Sequence, residues 1–243
     1  KYCHNRGVAV HLTLNTLVSD KEQEEAAALI RHAAKAGVDA FIVQDLGIIS
    51  LCKALAPHIP LHGSTQMSVH SLPGVQFCAG LGLSRVVLSR ELSRDEIRYI
   101  CANSPIEIEV FGHGALCMAY SGQCYLSAAI GGRSGNRGRC AQPCRQSYGY
   151  GRWQNRHPLS LKDNCLVHYV KDLEEMGVAV DCALSIEVED ALIIERMSGR
   201  RTCKDCSYRK IADILLRIHT DGHAAHICQR GKTGNFRLLH NLI

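Results

Sequence analysis

The sequence has no long hydrophobic run, since no apolar stretch approaches the ~18–20 residues that a membrane-spanning helix needs. Aromatic residues are also scarce, at 5% of the 243 residues, and the first residues show no secretory signal pattern. With 46% hydrophobic and 21% charged residues, the composition is that of a globular protein. We therefore expect one large domain or two small ones, without a membrane partner.

Cysteine, by contrast, is abundant, with 13 residues in the chain. An odd number of cysteines without a secretion signal argues against a complete disulfide framework. We therefore predict a cytoplasmic protein, in which clustered cysteines bind metal or carry out redox chemistry. Cys52, Cys78 and Cys101 stand among apolar neighbours and are predicted to be small buried hydrophobic residues.

Strand-like and helix-like segments alternate through the first two thirds of the chain. The predicted strands cover residues 7–15, 38–45, 59–66, 84–91 and 106–114, and the predicted helices cover 19–37, 46–58, 70–82 and 93–103. This alternation predicts βα units around a parallel sheet. We prefer an α/β fold with a TIM-barrel-like (β/α) barrel, incomplete at its N-terminus, although a doubly wound open sheet fits nearly as well.

Polar side chains cluster where the predicted strands end, which in a barrel is the rim that carries active sites. The predicted rim residues are His62, Gln66, Arg90, Glu91 and His113.

The βα alternation stops at residue 115, where a segment rich in Gly, Ser, Arg and Cys runs to residue 157. The alternation resumes with a strand at 157–163 and a helix at 164–177. No acidic residue occurs from Val110 to Lys162. The same stretch contains Arg133, Arg137, Arg139, Arg145, Arg152, Arg156 and Lys162. A basic, glycine-rich segment of this kind is typical of a surface that binds a polyanion such as RNA, and a solvated basic loop is the alternative.

Four cysteines in this segment are candidate metal ligands: Cys117, Cys124, Cys140 and Cys144, with Cys165 as a fifth. Their spacing, C-x6-C-x15-C-x3-C, is wider than the C-x2-C pairs usual at zinc sites. An iron–sulfur cluster accepts thiolates spread over a loop, so we prefer that interpretation, and zinc or unligated thiols remain alternatives.

Residues 109–127 closely resemble the signature of the peptidase U32 family, E-x-F-x-x-G-[SA]-[LIVM]-C-x4-G-x-C-x-[LIVM]-S, at every fixed position. Four further segments resemble stretches typical of this family: LHGSTQMS (61–68), RVVLSRELS (85–93), GGRSGNRGRCAQPCR (131–145) and PLSLKDNCL (158–166). The resemblance covers residues 1–178, which we take as one domain, and leaves 179–243 as an atypical C-terminal segment.

The resemblance implies a TIM-barrel-like catalytic part and, in several relatives, a 4Fe–4S cluster that serves the hydroxylation of a tRNA or rRNA pyrimidine, with prephenate as a co-substrate. By position, Cys117, Cys124 and Cys140 would be cluster ligands, and Cys144 or Cys165 would be the fourth. The predicted substrate-binding residues are Arg133, Asn136, Arg137, Arg139, Arg145 and Lys162.

Two other functions stay open at this stage. One is the collagenase-like peptidase activity that the family name implies, although the sequence shows no Ser–His–Asp order and no H-E-x-x-H motif. The other is a non-catalytic RNA-binding protein with zinc or no metal in the loop. The family's E-G-R-x-K motif is also absent after residue 178, which predicts an inactive chain if that motif is needed for catalysis.

Overall fold

The computed structural model describes residues 1–175 and 236–240. Its centre is a sheet of five parallel strands whose spatial order follows the chain. The strands are β1 (His11–Leu14), β2 (Ala40–Val43), β3 (Leu61–Gly63), β4 (Arg85–Val87) and β5 (Glu107–Gly114). The connecting helices are α1 (Gln23–Ala36), α2 (Leu46–Leu55), α3 (Leu72–Gly80) and α4 (Arg94–Asn103). The α/β fold with a mostly parallel sheet is therefore confirmed, and every predicted strand and helix up to residue 114 is present.

The helices begin and end where local chemistry dictates. Ser19 and Glu22 form a capping box before α1, and Ser93 and Glu96 form another at the start of α4. In each box a serine oxygen and a glutamate carboxylate satisfy backbone N–H groups that have no partner within the helix. Helix α1 ends at Gly37, whose φ of 83° lies in the left-handed region that favours glycine.

One face of the sheet is apolar and packs against all four helices. Each helix contributes to a single buried cluster, through Ile30, Ile48, Val75 and Ile100 respectively. The strands contribute Phe41, Val43, Leu61, Val86, Ile108 and Val110, and Leu88 adds to the cluster directly after β4. The four connecting helices therefore cover the same face of the sheet.

The opposite face of the sheet is polar. The parallel registers align Ile42, His62, Arg85 and Glu107 in one row, so these side chains point to the same side. Arg85 is only 6% exposed and pairs with Glu107 (Nε to Oε2, 2.7 Å) and with the buried Glu109 (Nη1 to Oε2, 3.3 Å). Because Arg85 is paired with two carboxylates, the free-energy cost of burying its charge is offset.

The sheet is open in the described part of the chain, where β1 lies at one edge. Beyond β5 it continues with β8 (Asn164–Cys165), which is antiparallel, and β9 (Phe236–His240), which is parallel. The predicted closed barrel is therefore not seen among residues 1–175 and 236–240.

The segment after β5 has more local structure than its sequence predicts. It contains a short helix, α5 (Leu126–Gly131), and a hairpin of β6 (Tyr148–Tyr150) and β7 (Trp153–Arg156). The predicted strand at 157–163 is wrong, since this stretch is a loop that leads into β8 and then α6 (Val170–Glu175). Pro158 has no N–H for a sheet ladder, and the carbonyl of Leu161 accepts a hydrogen bond from Arg145 instead.

The proposed domain boundary at residue 178 lies outside the described residues, as does the segment after it apart from β9. Among the helices of the described ranges, none combines the length and apolar character needed to cross a bilayer.

Candidate active site

A cleft opens at the carboxyl ends of β1, β2 and β3. Its volume is about 470 Å³, within the ~300–1,000 Å³ usual for small-molecule sites. Its lining includes Leu17, Gln44, Asp45, Leu46, Gln66 and Met67. Asp45 caps helix α2 through its contact with the Ile48 N–H (3.1 Å), so this carboxylate is a structural element of the cleft. The cleft thus lies at the end of the parallel strands, where active sites of βα folds are built.

The five predicted rim residues occupy different positions. Gln66 lies in the cleft, and Arg90 follows β4 and is half-buried. Glu91 and His113 are exposed at the ends of β4 and β5. His62 lies within β3 rather than after it, is buried, and packs edge-on against the ring of His11 with centroids 5.0 Å apart. His62 therefore belongs to the polar face of the sheet and not to the rim, while the catalytic roles of all five stay predictions.

Arg90 fixes the start of the cysteine loop, by which we mean residues 115–145. Its guanidinium stacks on the ring of Phe111 at 3.9 Å from the centroid and donates to the carbonyl of Ala115 at 3.1 Å. It also lowers the pKa of the Cys117 thiol, against the larger opposing effect of desolvation. Arg90 is thus a positioning residue for the first cysteine of the loop.

The cysteine loop packs directly against Gln66, one of the residues that line the cleft. A Cβ built on Gly122, whose φ is +81°, would lie 2.0 Å from the backbone oxygen of Gln66. Next to this contact the hydroxyl of Ser68 donates to the carbonyl of Ser121 at 2.5 Å. Only glycine permits so close an approach with this backbone conformation. The loop and the cleft therefore share a wall.

The four predicted ligand cysteines lie on the same loop and influence one another electrostatically. The pKa of the Cys117 thiol is raised, first by desolvation and then by the neighbouring thiols of Cys144, Cys140 and Cys124. The Sγ of Cys140 accepts a hydrogen bond from the N–H of Gln142 at 3.3 Å. As placed, no group of three or more His, Cys, Asp or Glu side chains in residues 1–175 or 236–240 is spaced to hold a single metal ion.

The donor set nevertheless fits an iron–sulfur cluster in its chemistry. The thiols belong to one loop without acidic residues, and such clusters are held by thiolates and tuned by hydrogen bonds to sulfur. Cys165 is also available, because it lies opposite His113 in the β5–β8 pairing, at the strand end from which the loop leaves.

Three of the predicted binding arginines hold the protein's own loops together. Arg145 donates to Leu161 O (2.6 Å), Leu116 O (2.9 Å) and Asp163 Oδ1 (3.1 Å). Arg133 donates to the carbonyl of Arg139 at 3.2 Å. Long polar side chains that already have partners are less available to an external ligand.

Arg137 fastens the loop to the entrance of α1. Its guanidinium contacts the carbonyl of Leu17 and the carboxylate of Glu22, and the Leu17 N–H donates to the carbonyl of Asn136 at 3.0 Å. The contribution of Asn136 is therefore a backbone one. Because Leu17 lines the cleft, the loop touches the cleft on a second side.

The Arg137–Glu22 contact predicts a pH-dependent stability. Hydrogen bonds from Arg137, and then from the side chain and backbone N–H of Ser19, lower the pKa of Glu22 from 4.5 to about 2. A depressed carboxyl pKa stabilises the folded state above pH 4.5, and that contribution is lost as the pH falls from 4.5 towards 2. We expect Tm to fall less steeply over this window in Glu22→Gln than in the unsubstituted protein. An equal slope in the two proteins, measured by thermal unfolding at several pH values, would contradict the contact.

Arg139 and Lys162 are the exposed basic residues left for a ligand. Neither side chain has a hydrogen-bond or ion-pair partner within the described ranges. Lys162 stands between Leu161 and Asp163, which Arg145 contacts, and Arg139 immediately precedes Cys140 in the cysteine loop. Of the six predicted binding residues, these two retain free charge.

Sequence reasoning missed two features of the site. Arg85, Glu107 and Glu109 form the buried ion-pair network described above, and the alternation in IEIEV, which puts both acids on one face, was the available signal. The second is Gln44, whose Oε1 atom is buried and has no hydrogen-bond partner among the described residues. Nothing in its sequence context distinguishes this glutamine from an ordinary residue at a strand end.

Comparison with known proteins gives consistent results. Residues 1–187 match the profile of peptidase family U32. The chain is 46% identical over 183 residues to a 23S rRNA 5-hydroxycytidine C2501 synthase of Escherichia coli, covering 73% of this chain and 28% of that protein. It is 35% identical over 190 residues to tRNA hydroxylation protein P1 of Bacillus subtilis, covering 73% and 45%. A collagenase of Porphyromonas gingivalis is 33% identical over 197 residues, covering 73% and 47%.

The chain thus spans between about a quarter and a half of the length of these relatives. Among solved structures, that of the U32 peptidase Mk0906 aligns with a TM-score of 0.45 and 16% identity, covering 65% of this chain and 69% of that one.

Proposed function

Because the chain belongs to peptidase family U32, whose profile matches residues 1–187, we propose that it takes part in the hydroxylation of a pyrimidine base in RNA with the help of an iron–sulfur cluster. The observation that carries the proposal is that the loop bearing the four cysteines packs, through Gly122, against Gln66 in the lining of a cleft at the carboxyl ends of the strands. Relatives named for rRNA and tRNA hydroxylation support the choice of substrate.

In this proposal the residues of the chain have separate tasks. Cys117, Cys124 and Cys140, with Cys144 or Cys165, would hold a 4Fe–4S cluster, which when bound would supply redox chemistry next to the cleft. Arg90 favours the thiolate form of Cys117, as ligation requires. Prephenate, an acidic molecule, is the proposed co-substrate.

The polar face of the sheet supports a further proposal about the fold. His62, Arg85 and Glu109 are buried on the side away from the helices. In a (β/α) barrel this side is the closed interior, where side chains from the strands pack in layers. We propose that the five strands are part of such a barrel in the whole protein.

The function is tested by nucleoside mass spectrometry. RNA from cells that lack pyrimidine hydroxylation should gain a 5-hydroxypyrimidine when this protein is expressed. Its absence, with folded protein that contains the cluster, would contradict the proposal.

The two basic side chains without partners among the described residues, Arg139 and Lys162, predict where the protein binds RNA. Replacing Arg139 and Lys162 by alanine should weaken RNA binding and lower the slope of log affinity against log salt by about 0.7 for each lost contact with single-stranded RNA. Lys35→Ala is a matched control, because Lys35 is exposed in the last turn of α1, at the amino-terminal end of the strands. Unchanged affinity and slope in the double variant, measured by titration at several salt concentrations, would place the RNA elsewhere.

Peptide hydrolysis is a second candidate, favoured by the relative named collagenase. It predicts gelatin cleavage that persists through stringent purification and disappears with a single substitution in the cleft. Cleavage that separates from the protein during purification would belong to a contaminant.

A further inference from the structure

Gln44 lies between two residues that bond to each other, at the point where β1, β2 and β3 end. Asn15, Gln44 and Ser64 directly follow the last paired residues of β1, β2 and β3, and the alternation of side chains along a strand places them on the polar face of the sheet, with Gln44 in the middle. The two outer residues bond to each other, since Asn15 Nδ2 donates to Ser64 Oγ at 3.3 Å. Ser64 Oγ also accepts from the backbone N–H of Gln66 at 3.2 Å.

This arrangement leaves the Gln44 carbonyl oxygen without a partner. Its Oε1 atom is buried, and no donor among the described residues reaches it. An unsatisfied buried acceptor is costly to the folded protein, so its retention calls for an explanation. Gln44 lines the cleft of about 470 Å³, so a rotation of its side-chain amide towards the cleft would let a ligand there supply the missing donor.

The rest of the cleft indicates what kind of ligand this is. Leu17 and Leu46 are exposed leucines on its lining, and Met67 adds a third apolar side chain. These apolar side chains suit the faces of a nucleobase, and the acceptor of Gln44, unpartnered among the described residues, suits its N–H edge, while Asp45 and Gln66 add polar groups to the same lining. Uracil offers its N3–H and cytosine its N4 amino group, whereas a base without an N–H donor at that position would leave Gln44 unsatisfied.

We propose that the cleft at the ends of β1–β3 receives a single pyrimidine base extruded from RNA and that Gln44 Oε1 accepts a hydrogen bond from its N–H edge. The inference rests on the proposed function and names the residue that would hold the N–H edge of the base. The cysteine loop adjoins this pocket, because Gly122 packs against Gln66 on the cleft wall. A base held there lies beside the loop that would carry the cluster.

Gln44→Leu tests the hydrogen bond, with Gln76→Leu on the exposed face of α3 as the control. We expect Gln44→Leu to lower kcat/KM for RNA hydroxylation by about 10- to 100-fold, because a buried polar contact to substrate is lost. Tm should be unchanged or higher, since the substitution removes an unsatisfied acceptor, and iron content should stay the same. Hydroxylation at the level of the control, or a lower Tm that accounts for the loss, would overturn the inference.

A photocrosslink separates this inference from the proposed function. A short single-stranded RNA carrying one 4-thiouridine should crosslink to residues 44–47 or 65–67, as read by mass spectrometry of the digested protein. Crosslinking there without any hydroxylated product would support the pocket and contradict the proposed function. Hydroxylation with crosslinks confined to other segments, or no crosslink at all, would overturn the pocket.

Discussion

Replacing Cys117 and Cys124 together by serine is expected to remove the bound iron and sulfide and to abolish RNA hydroxylation. Serine is a poor ligand for iron in a thiolate-held cluster, so the protein should fall from about four irons per chain to almost none. Activity should drop by more than ~100-fold, because even residues that only orient metal ligands are worth 10- to 100-fold. The five-stranded sheet has its own apolar core away from the loop, so the far-UV spectrum and RNA binding should persist.

The measurement is iron and acid-labile sulfide per chain after anaerobic purification, with a visible absorption spectrum. Cys3→Ser is the control, because Cys3 is a free, partly exposed cysteine in the N-terminal segment that precedes β1. Stoichiometric zinc, or no metal in folded unsubstituted protein, would contradict the cluster. Comparing Cys144→Ser with Cys165→Ser identifies the fourth ligand as the one whose loss lowers the iron content.

Gly122→Ala is expected to have the second large effect. A methyl group at this position would lie 2.0 Å from the backbone oxygen of Gln66, and the φ of +81° is unfavourable for alanine. The loop must therefore move off the cleft wall, at a cost of at least about 2 kcal/mol of folding stability. For a domain of this size that corresponds to a fall in Tm of roughly 4–8 °C.

Gly131→Ala is a matched control in the same loop. A Cβ on Gly131 meets nothing within 4 Å, and its backbone does not have a positive φ. We expect Gly131→Ala to keep both Tm and iron content, while Gly122→Ala lowers both. Equal effects of the two substitutions, in thermal unfolding and iron assays, would show that the contact between the loop and Gln66 does not hold the site together.

The alternation of segments was enough to predict the sheet. Capping residues such as Ser93 and Glu96, and a glycine at the end of α1, act locally and can be seen in the sequence. For the stretch 157–163 the sequence held one local signal against a strand, namely Pro158. The hydrogen bond from Arg145 to the Leu161 carbonyl joins residues 16 apart and is seen only in the structure.

The site shows the same division between local and distant causes. The clustering of the cysteines follows from their spacing in one segment, so sequence alone could find them. The use of Arg137 could not be foreseen, because its partner Glu22 stands 115 residues earlier. The sequence of a segment without acidic residues does not reveal that the fold pairs one of its basic residues with a carboxylate from another segment. The orphan oxygen of Gln44 likewise depends on how its two neighbours bond to each other.

The sheet's strand order has a consequence for how the protein forms during synthesis. Each of β2 to β5 pairs with the strand made just before it, so every new βα unit can dock as soon as it leaves the ribosome. The contacts of the cysteine loop with Glu22 and Gln66 reach back to the first units, so they close only after those units are in place. We therefore expect the thiols to gather only after the first βα units have folded, so that any cofactor is inserted after those units are in place.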